Sequence, residues 1–422
     1  MKSANATDVA IGVEGERAAS RSSSAPLAAV AVSTERREEP SAADRWSATL
    51  HVTSDSRAFL TTAEDPAPRA VILMAGGDCL GLGTHPVVVD EAVRATRRYG
   101  WGCGAGALPD PWHAAHEELE RRLAEFVGAE TALLFPGRYV ALVTGISALA
   151  GPDDLLLVDA PGNPALAEGA ELAGARVEAC AHADPQDLVR RLGRAADAGS
   201  HVLVAVEGVS GLDGRVSPLA EIVAATRAAG ACLLVDDSYG LGVAGPRGRG
   251  SSEACGVRGA PDLLVGCLAG FLGGTGAFAA GPRAVMDALR RHVGRRPDTP
   301  PPLAASVSAL AALTVLETDP ELRARLWKNI CFVREGLRAR GFATGAVESA
   351  LVPIPVGDEA LLFRVKDWLV REGLYAAHLA PPLVEPSLAR LRLTVKATQS
   401  AADLARALEI LEQAGRRFGL AD

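Results

Sequence analysis

Two adjacent aspartates, Asp236 and Asp237, follow a short apolar run, Cys232–Val235. Open α/β sheets present ligand-binding groups at the carboxyl ends of such strands. Asp236 there could bind a ring nitrogen, take a proton or orient a partner group. His113 and His116 are three apart, near one face of a helix start, and histidine moves protons near neutral pH. No third ligand stands close by, so the pair is a poor metal signal. Tyr139 and Tyr239 can donate to a developing oxyanion. Cys103 and Cys267 are thiols able to accept an acyl group if their pKa is lowered. Arg390 and Arg392 flank Leu391 and would point the same way in a strand.

These groups need a scaffold. Leu155–Val158, Val202–Val206, Cys232–Val235 and Leu263–Val265 are short apolar runs ending in small or acidic residues, with helical patterns between them. Apolar strands alternating with helices predict a mostly parallel sheet covered on both faces. His116–Val127 is amphipathic and stops at Gly128. Pro218–Ala229 follows Ser217, an expected N-cap, and exits at Gly230. The proline-rich stretch 296–302 reads as a joint, beyond which two helical stretches and alternating segments predict a smaller α+β domain. The expected layout is a disordered tail (1–67), an N-terminal arm (68–115), a large α/β domain (116–298) and a small C-terminal domain (303–422).

Composition narrows the function classes. The chain has 422 residues, 48% of them hydrophobic, 22% charged, and a formal net charge of −8. That balance gives no electrostatic reason to bind nucleic acid. Seven cysteines without a Cys-x-x-Cys pair point to reduced thiols in a cytoplasmic protein. No apolar run reaches the roughly 18 residues a membrane span needs, and Ala25–Val32 is too brief for a signal peptide. Only four lysines occur, at Lys2, Lys328, Lys366 and Lys396.

Several motifs, in order, carry a family resemblance. They are Leu80-Gly-Leu-Gly-Thr-His-Pro86, Arg98-Tyr-Gly-Trp-Gly-Cys-Gly104, His113-Ala-Ala-His-Glu-Glu-Leu-Glu120 and Val206-Glu-Gly-Val-Ser-Gly-Leu-Asp-Gly214. Val235-Asp-Asp-Ser-Tyr-Gly-Leu-Gly-Val243, Gly245-Pro-Arg-Gly-Arg-Gly250, Pro382-Leu-Val-Glu-Pro386 and Arg390-Leu-Arg-Leu393 follow. From about Val71 to the C-terminus the chain resembles the α-oxoamine synthases, which include 8-amino-7-oxononanoate synthase and serine palmitoyltransferase. The resemblance implies a pyridoxal phosphate (PLP) transferase of fold-type I and a homodimer with active sites at the interface. It implies that Asp236 is the carboxylate that holds the pyridinium proton. It places His113 and His116 near the active site, and Arg390 or Arg392 on an amino-acid carboxylate.

The departures fall on cofactor positions. Asp262-Leu-Leu-Val-Gly-Cys-Leu-Ala-Gly-Phe-Leu-Gly-Gly-Thr-Gly-Ala-Phe278 resembles the family's Schiff-base segment, yet its lysine position is Gly270, which has no amine. Asn163 stands where the family stacks a histidine on the ring. Tyr239 replaces the histidine near the phenolic oxygen, Gly211 the motif serine, and Cys267 the threonine before the lysine. Gly137 and Arg138 stand where the phosphate motif has Ser-Gly, and Ala107 where an arginine is expected. Changes at so many positions read as natural drift or repurposing rather than one engineered substitution.

No covalent cofactor is therefore expected, and PLP is not expected to bind; non-covalent PLP through Asp236 is the weakest alternative. The leading expectation is a PLP-independent acyltransferase in a biosynthetic pathway. It would move an acyl group from a CoA or carrier-protein thioester to an amine or hydroxyl. Asp236, His113, His116, Tyr239 and Cys267 are its candidate catalytic groups. Arg138, Tyr139, Asn163, Arg390 and Arg392 are its candidate substrate contacts. The alternative is a catalytically silent subunit paired with an active paralogue. Expected partners are small-molecule donor and acceptor, a second subunit and an acyl carrier protein, with no nucleic acid, membrane or metal.

Overall fold

Strands β4 (Thr131–Phe135), β5 (Leu155–Ala160), β6 (Arg176–Ala181), β7 (Val202–Glu207), β8 (Cys232–Asp236), β9 (Leu263–Cys267) and β10 (Ala277–Gly281) form one sheet, in the order β4-β10-β9-β8-β7-β5-β6. Five of them, β5 to β9, run parallel, and β10 is antiparallel to both neighbours. These strands belong to a computed structural model that describes residues 48–421, apart from 54–55, 63–65, 103–111, 161–162, 198–200, 294–299 and 382.

The apolar runs are explained by cover on both sheet faces. Leu234 points into a core with Leu142, Ile146 and Leu166, from helices Arg138–Leu149 and Pro164–Ala173. Its neighbours Leu233 and Val235 point the other way, into a core with Leu188, Leu192, Leu219 and Ile222. That core is closed by helices Pro185–Asp197 and Leu219–Ala229. Each fully buried leucine or valine contributes on the order of 1.5–3 kcal/mol, so β8 cannot tolerate a register slip.

The second sheet corrects the expected domain layout. It holds β1 (Ala48–Thr53), β2 (Arg57–Thr62), β3 (Arg69–Met74), β11 (Leu351–Pro355), β12 (Leu374–Leu379) and β13 (Arg390–Thr394), in the order β1-β2-β3-β12-β13-β11. Two strands lie inside the stretch read as a disordered tail, and β3 pairs with β12 in parallel, so the expected arm is part of the C-terminal sheet. In β2 only Ala58 and Leu60 face the core, against Val71 and Leu73, while Arg57 and Phe59 face out. So short an alternation is easily missed amid polar residues. The guanidinium of Arg57 donates to Asp403 at 2.6 Å, tying the hairpin to the last helix, Ala401–Phe418. Residues 1–47 of the expected tail, Cys103 and Ala107 lie outside the described residues.

The predicted helices are present as Ala114–Val127, Leu219–Ala229, Leu303–Thr318 and Pro320–Arg338. Ser217 is not the expected cap. Its hydroxyl donates to the Glu207 carbonyl at 2.6 Å, and Pro218 takes the cap position instead.

Candidate active site

Glu207 and Asp236 end neighbouring parallel strands and face each other in register. Both carboxylates are buried, Asp236 almost completely. Such a pair needs a compensating cation, and Arg138 supplies it. This residue opens the helix after β4, so its backbone lies at the same sheet edge. Its Nε donates to Asp236 Oδ2 at 2.8 Å, and its Nη2 donates to that oxygen and to Glu207 Oε1 at 3.0 Å. Asp236 Oδ1 accepts from the Ser238 hydroxyl at 2.6 Å, and Oδ2 also faces Asn163 Nδ2 at 3.4 Å. Asn163 otherwise caps its helix, its side chain accepting from the Ala165 amide. Burial pushes the Glu207 carboxyl above its ordinary value. Arg138 and the Gly211 amide oppose the shift, and the nearby Asp236 charge adds to it. Asp237 points elsewhere. Its Oδ2 accepts from the Ser251 amide at 2.8 Å, and burial pushes its carboxyl up to about 7, so it anchors the loop.

Tyr239 lies between two guanidiniums, Arg138 at 5.0 Å and Arg392 at 5.4 Å from the ring centroid. Such cation–π contacts hold the ring by its faces. A Cβ on Gly211 would come within 3.0 Å of the Tyr239 ring. The two departures at these positions are therefore one change: the larger ring needs the space a serine would fill. Arg392 donates from Nη1 to the Gly211 carbonyl at 2.9 Å. Its Nε is buried with no hydrogen-bond partner among the described residues.

These side chains line a cavity of about 220 Å³. Arg138, Asn163, Glu207, Tyr239 and Arg392 give it a polar side. Leu212, Leu379, Leu383 and Val384 give it an apolar wall. As read from the sequence, Arg390 and Arg392 share a strand face with Leu391 buried between them. Only Arg392 reaches the cavity; Arg390 Nε donates to the Leu388 carbonyl.

Several sequence candidates stand apart from this cavity. His113 caps its helix, its Nδ1 accepting from the Ala115 amide at 3.1 Å. His116 is buried, with its Nε2 2.9 Å from the Pro301 carbonyl, and burial pushes its pKa down. Within this chain both histidines hold structure. Cys267 caps the short helix Leu268–Phe271 and does not line the cavity. Tyr139 is exposed and donates to Glu168. Glu207 is the residue sequence reasoning missed. Its signal was an acidic residue ending an apolar run, as at Asp236. Lys396 is buried, and its Nζ lies 3.7 Å from where a Cβ on Gly76 would stand; the adjacent Gly77 packs against Gly270.

A sequence profile of aminotransferase class I and II matches residues 69–411. The 8-amino-7-oxononanoate synthase of Geotalea daltonii is 36% identical over 356 residues, covering 83% of this chain and 90% of that protein. That of Methylococcus capsulatus is 36% identical over 374 residues, covering 88% and 94%. Sphingomonas wittichii serine palmitoyltransferase superposes with a TM-score of 0.82 at 29% identity, covering 89% of this chain and 94% of that one. A lysine-to-alanine variant of the S. paucimobilis enzyme, solved with a bound PLP–myriocin aldimine, gives 0.82 at 28% identity, covering 88% and 93%.

These relatives overturn the expectation that PLP does not bind. Neighbours at this level of similarity carry PLP, one as an internal aldimine and one in a lysine-to-alanine variant. A missing lysine is therefore no bar to the cofactor in this fold. Asp236 as placed here is not open to the ring nitrogen, however, because Arg138 stands on it.

Proposed function

Because the chain belongs to the aminotransferase class I and II family, among the α-oxoamine synthases, we propose that it transfers an acyl group from a CoA or carrier-protein thioester to an amine or hydroxyl acceptor bearing a carboxylate. The observation that carries this reading is Arg392. Arg392 lines a cavity with an apolar far wall, and its guanidinium has more donors than the one bonded to the Gly211 carbonyl, which suits a carboxylate beside a hydrocarbon chain. Serine palmitoyltransferase, to which the chain is similar, is by its name an acyl transferase with serine.

The chain's own residues supply what acyl transfer needs. The acceptor nitrogen attacks the thioester carbonyl, a C–N bond forms and the C–S bond breaks. The proton leaves the nitrogen for a base and ends on the departing thiolate. Glu207 lines the cavity, and burial raises its carboxyl above its ordinary value, the direction a general base needs. Tyr239, a cavity-lining phenol with arginines 5.0 and 5.4 Å from its ring centroid, would donate to the carbonyl oxygen as charge develops. Asp236 acts through Arg138, holding it in position. PLP, when bound, would supply an electron sink for carbon–carbon bond formation.

The test is thiol release from a panel of acyl-CoA thioesters, with amino acids as acceptors and products identified by mass. Each reaction is run with and without PLP. We expect acceptor-dependent thiol release that Arg392→Ala weakens mainly through KM for the acceptor. No release from any donor under either condition would sink the proposal. The internally paired Arg138–Asp236–Glu207 cluster supports a second reading, a silent subunit completing an active paralogue. Capture of that paralogue from its own cells, together with a mute panel, would select it.

A further inference from the structure

We propose that Arg138 sets the affinity of this protein for a pyridine cofactor, by competing with the protonated ring nitrogen for Asp236. A pyridinium needs one free carboxylate oxygen as acceptor. Asp236 offers two, and both are engaged. Oδ1 accepts from the Ser238 amide and hydroxyl, and Oδ2 accepts twice from Arg138 and, at 3.4 Å, from Asn163 Nδ2. Ser238 is part of the loop that follows β8 and cannot withdraw without disturbing it. Arg138 is attached through a flexible side chain, so it is the partner that can leave.

Leaving has a cost that the structure bounds. The guanidinium gives up its bonds to Asp236, its bond to Glu207 and its place on the Tyr239 ring. The ring nitrogen replaces only the contact with Asp236. Glu207 would remain buried beside Asp236 with its cation gone, which is unfavourable. Cofactor binding is thus linked to a change of partner within the chain, and its apparent affinity falls by the cost of that exchange. Removing the guanidinium and the Glu207 charge together removes the exchange.

The experiment measures affinity for pyridoxine 5′-phosphate by calorimetry. This probe has the ring and phosphate but no aldehyde, so it cannot condense with Lys396 or any surface amine. The wild-type chain is compared with Arg138→Gln/Glu207→Gln, which keeps Asp236. The double variant is expected to bind at least about tenfold more tightly, from one charge-assisted hydrogen bond no longer displaced. Adding Asp236→Asn is expected to erase that gain. Equal affinity in wild type and double variant, or a gain that survives Asp236→Asn, overturns the proposal. Should the double variant fail to fold, Asp236→Asn alone decides. A small effect on binding supports competition, and a tenfold or greater loss shows that Asp236 already serves the ring and overturns it.

Discussion

Position 270 offers a direct check on whether the lost lysine is a change of chemistry or of fold. Gly270 sits in the short helix Leu268–Phe271, outside the left-handed region. A Cβ there would meet the Ser238 carbonyl at 3.2 Å and the Gly77 carbonyl at 3.9 Å. The first contact asks a neighbour to give a few tenths of an ångström. Against that, replacing glycine in a helix gains roughly 0.5–1 kcal/mol. Gly270→Ala should therefore change stability by less than about 1 kcal/mol. Two glycines in the same segment should behave differently. Gly273 has φ +62, and its Cβ would lie 2.0 Å from the Gly83 amide nitrogen. A Cβ on Gly266 would lie 2.3 Å from the Phe278 ring. Left-handed strain of about 1–2 kcal/mol plus a backbone collision makes Gly273→Ala the most damaging. Overpacking of roughly 1–3 kcal/mol places Gly266→Ala next. Urea midpoints at constant slope measure all three. If Gly270→Ala falls as far as Gly273→Ala, glycine is demanded by packing and the argument fails.

Two further perturbations test the surroundings of the cavity. His182 donates to Asp159 and lies 3.4 Å from Asp213, which raise its pKa to about 9 against the opposing effect of burial. A raised folded value means its contribution to stability is complete below the unfolded value near 6.5 and is lost as pH rises through about 9. Asp213→Asn should lower the His182 pKa, read by NMR titration, and flatten the stability loss between pH 7 and 9; an unmoved titration would refute the pairing. Gly211→Ser should destabilise by on the order of 1–3 kcal/mol through overpacking against Tyr239. Adding Tyr239→His should restore most of that loss, and purely additive effects in the double-mutant cycle would show that the two positions are not coupled.

Much of the fold was legible because periodicity carries it. The runs ending at Val158, Val206, Val235 and Val265 lie in β5, β7, β8 and β9, since strands buried on both faces must be apolar throughout. The hairpin of β1 and β2 was not legible, because its core-facing residues are few and its cover comes from β3 and residue 370. At the site, Asp236 and Arg392 were legible from their places in motifs. The partner of Asp236 was not. Arg138 is 98 residues away in the chain, and only the sheet order brings the two together. His113 and His116 misled for a related reason: helix spacing says that two side chains are neighbours, not what they face.

The departures from the family pattern make physical sense as one assembly. Asp236 and Glu207 would repel each other across neighbouring strand ends, so a cation between them has to be retained or supplied. Arg138 supplies it from within the chain. Its guanidinium then needs a flat surface, and Tyr239 offers one, provided that position 211 lacks a side chain. Arg392 packs on the same ring and binds the Gly211 backbone. Two cations and two carboxylates thus share one buried site, and Arg138, Asn163, Tyr239 and Gly211, four of the residues changed from the pattern, each touch another member of it. Random decay of an idle cofactor pocket would leave unpaired charges and loose rings. Arg392 Nε is buried without a hydrogen-bond partner among the described residues, and Arg392 lines the cavity. Charges paired among themselves beside a cavity-lining guanidinium fit the carboxylate-bearing acceptor proposed above.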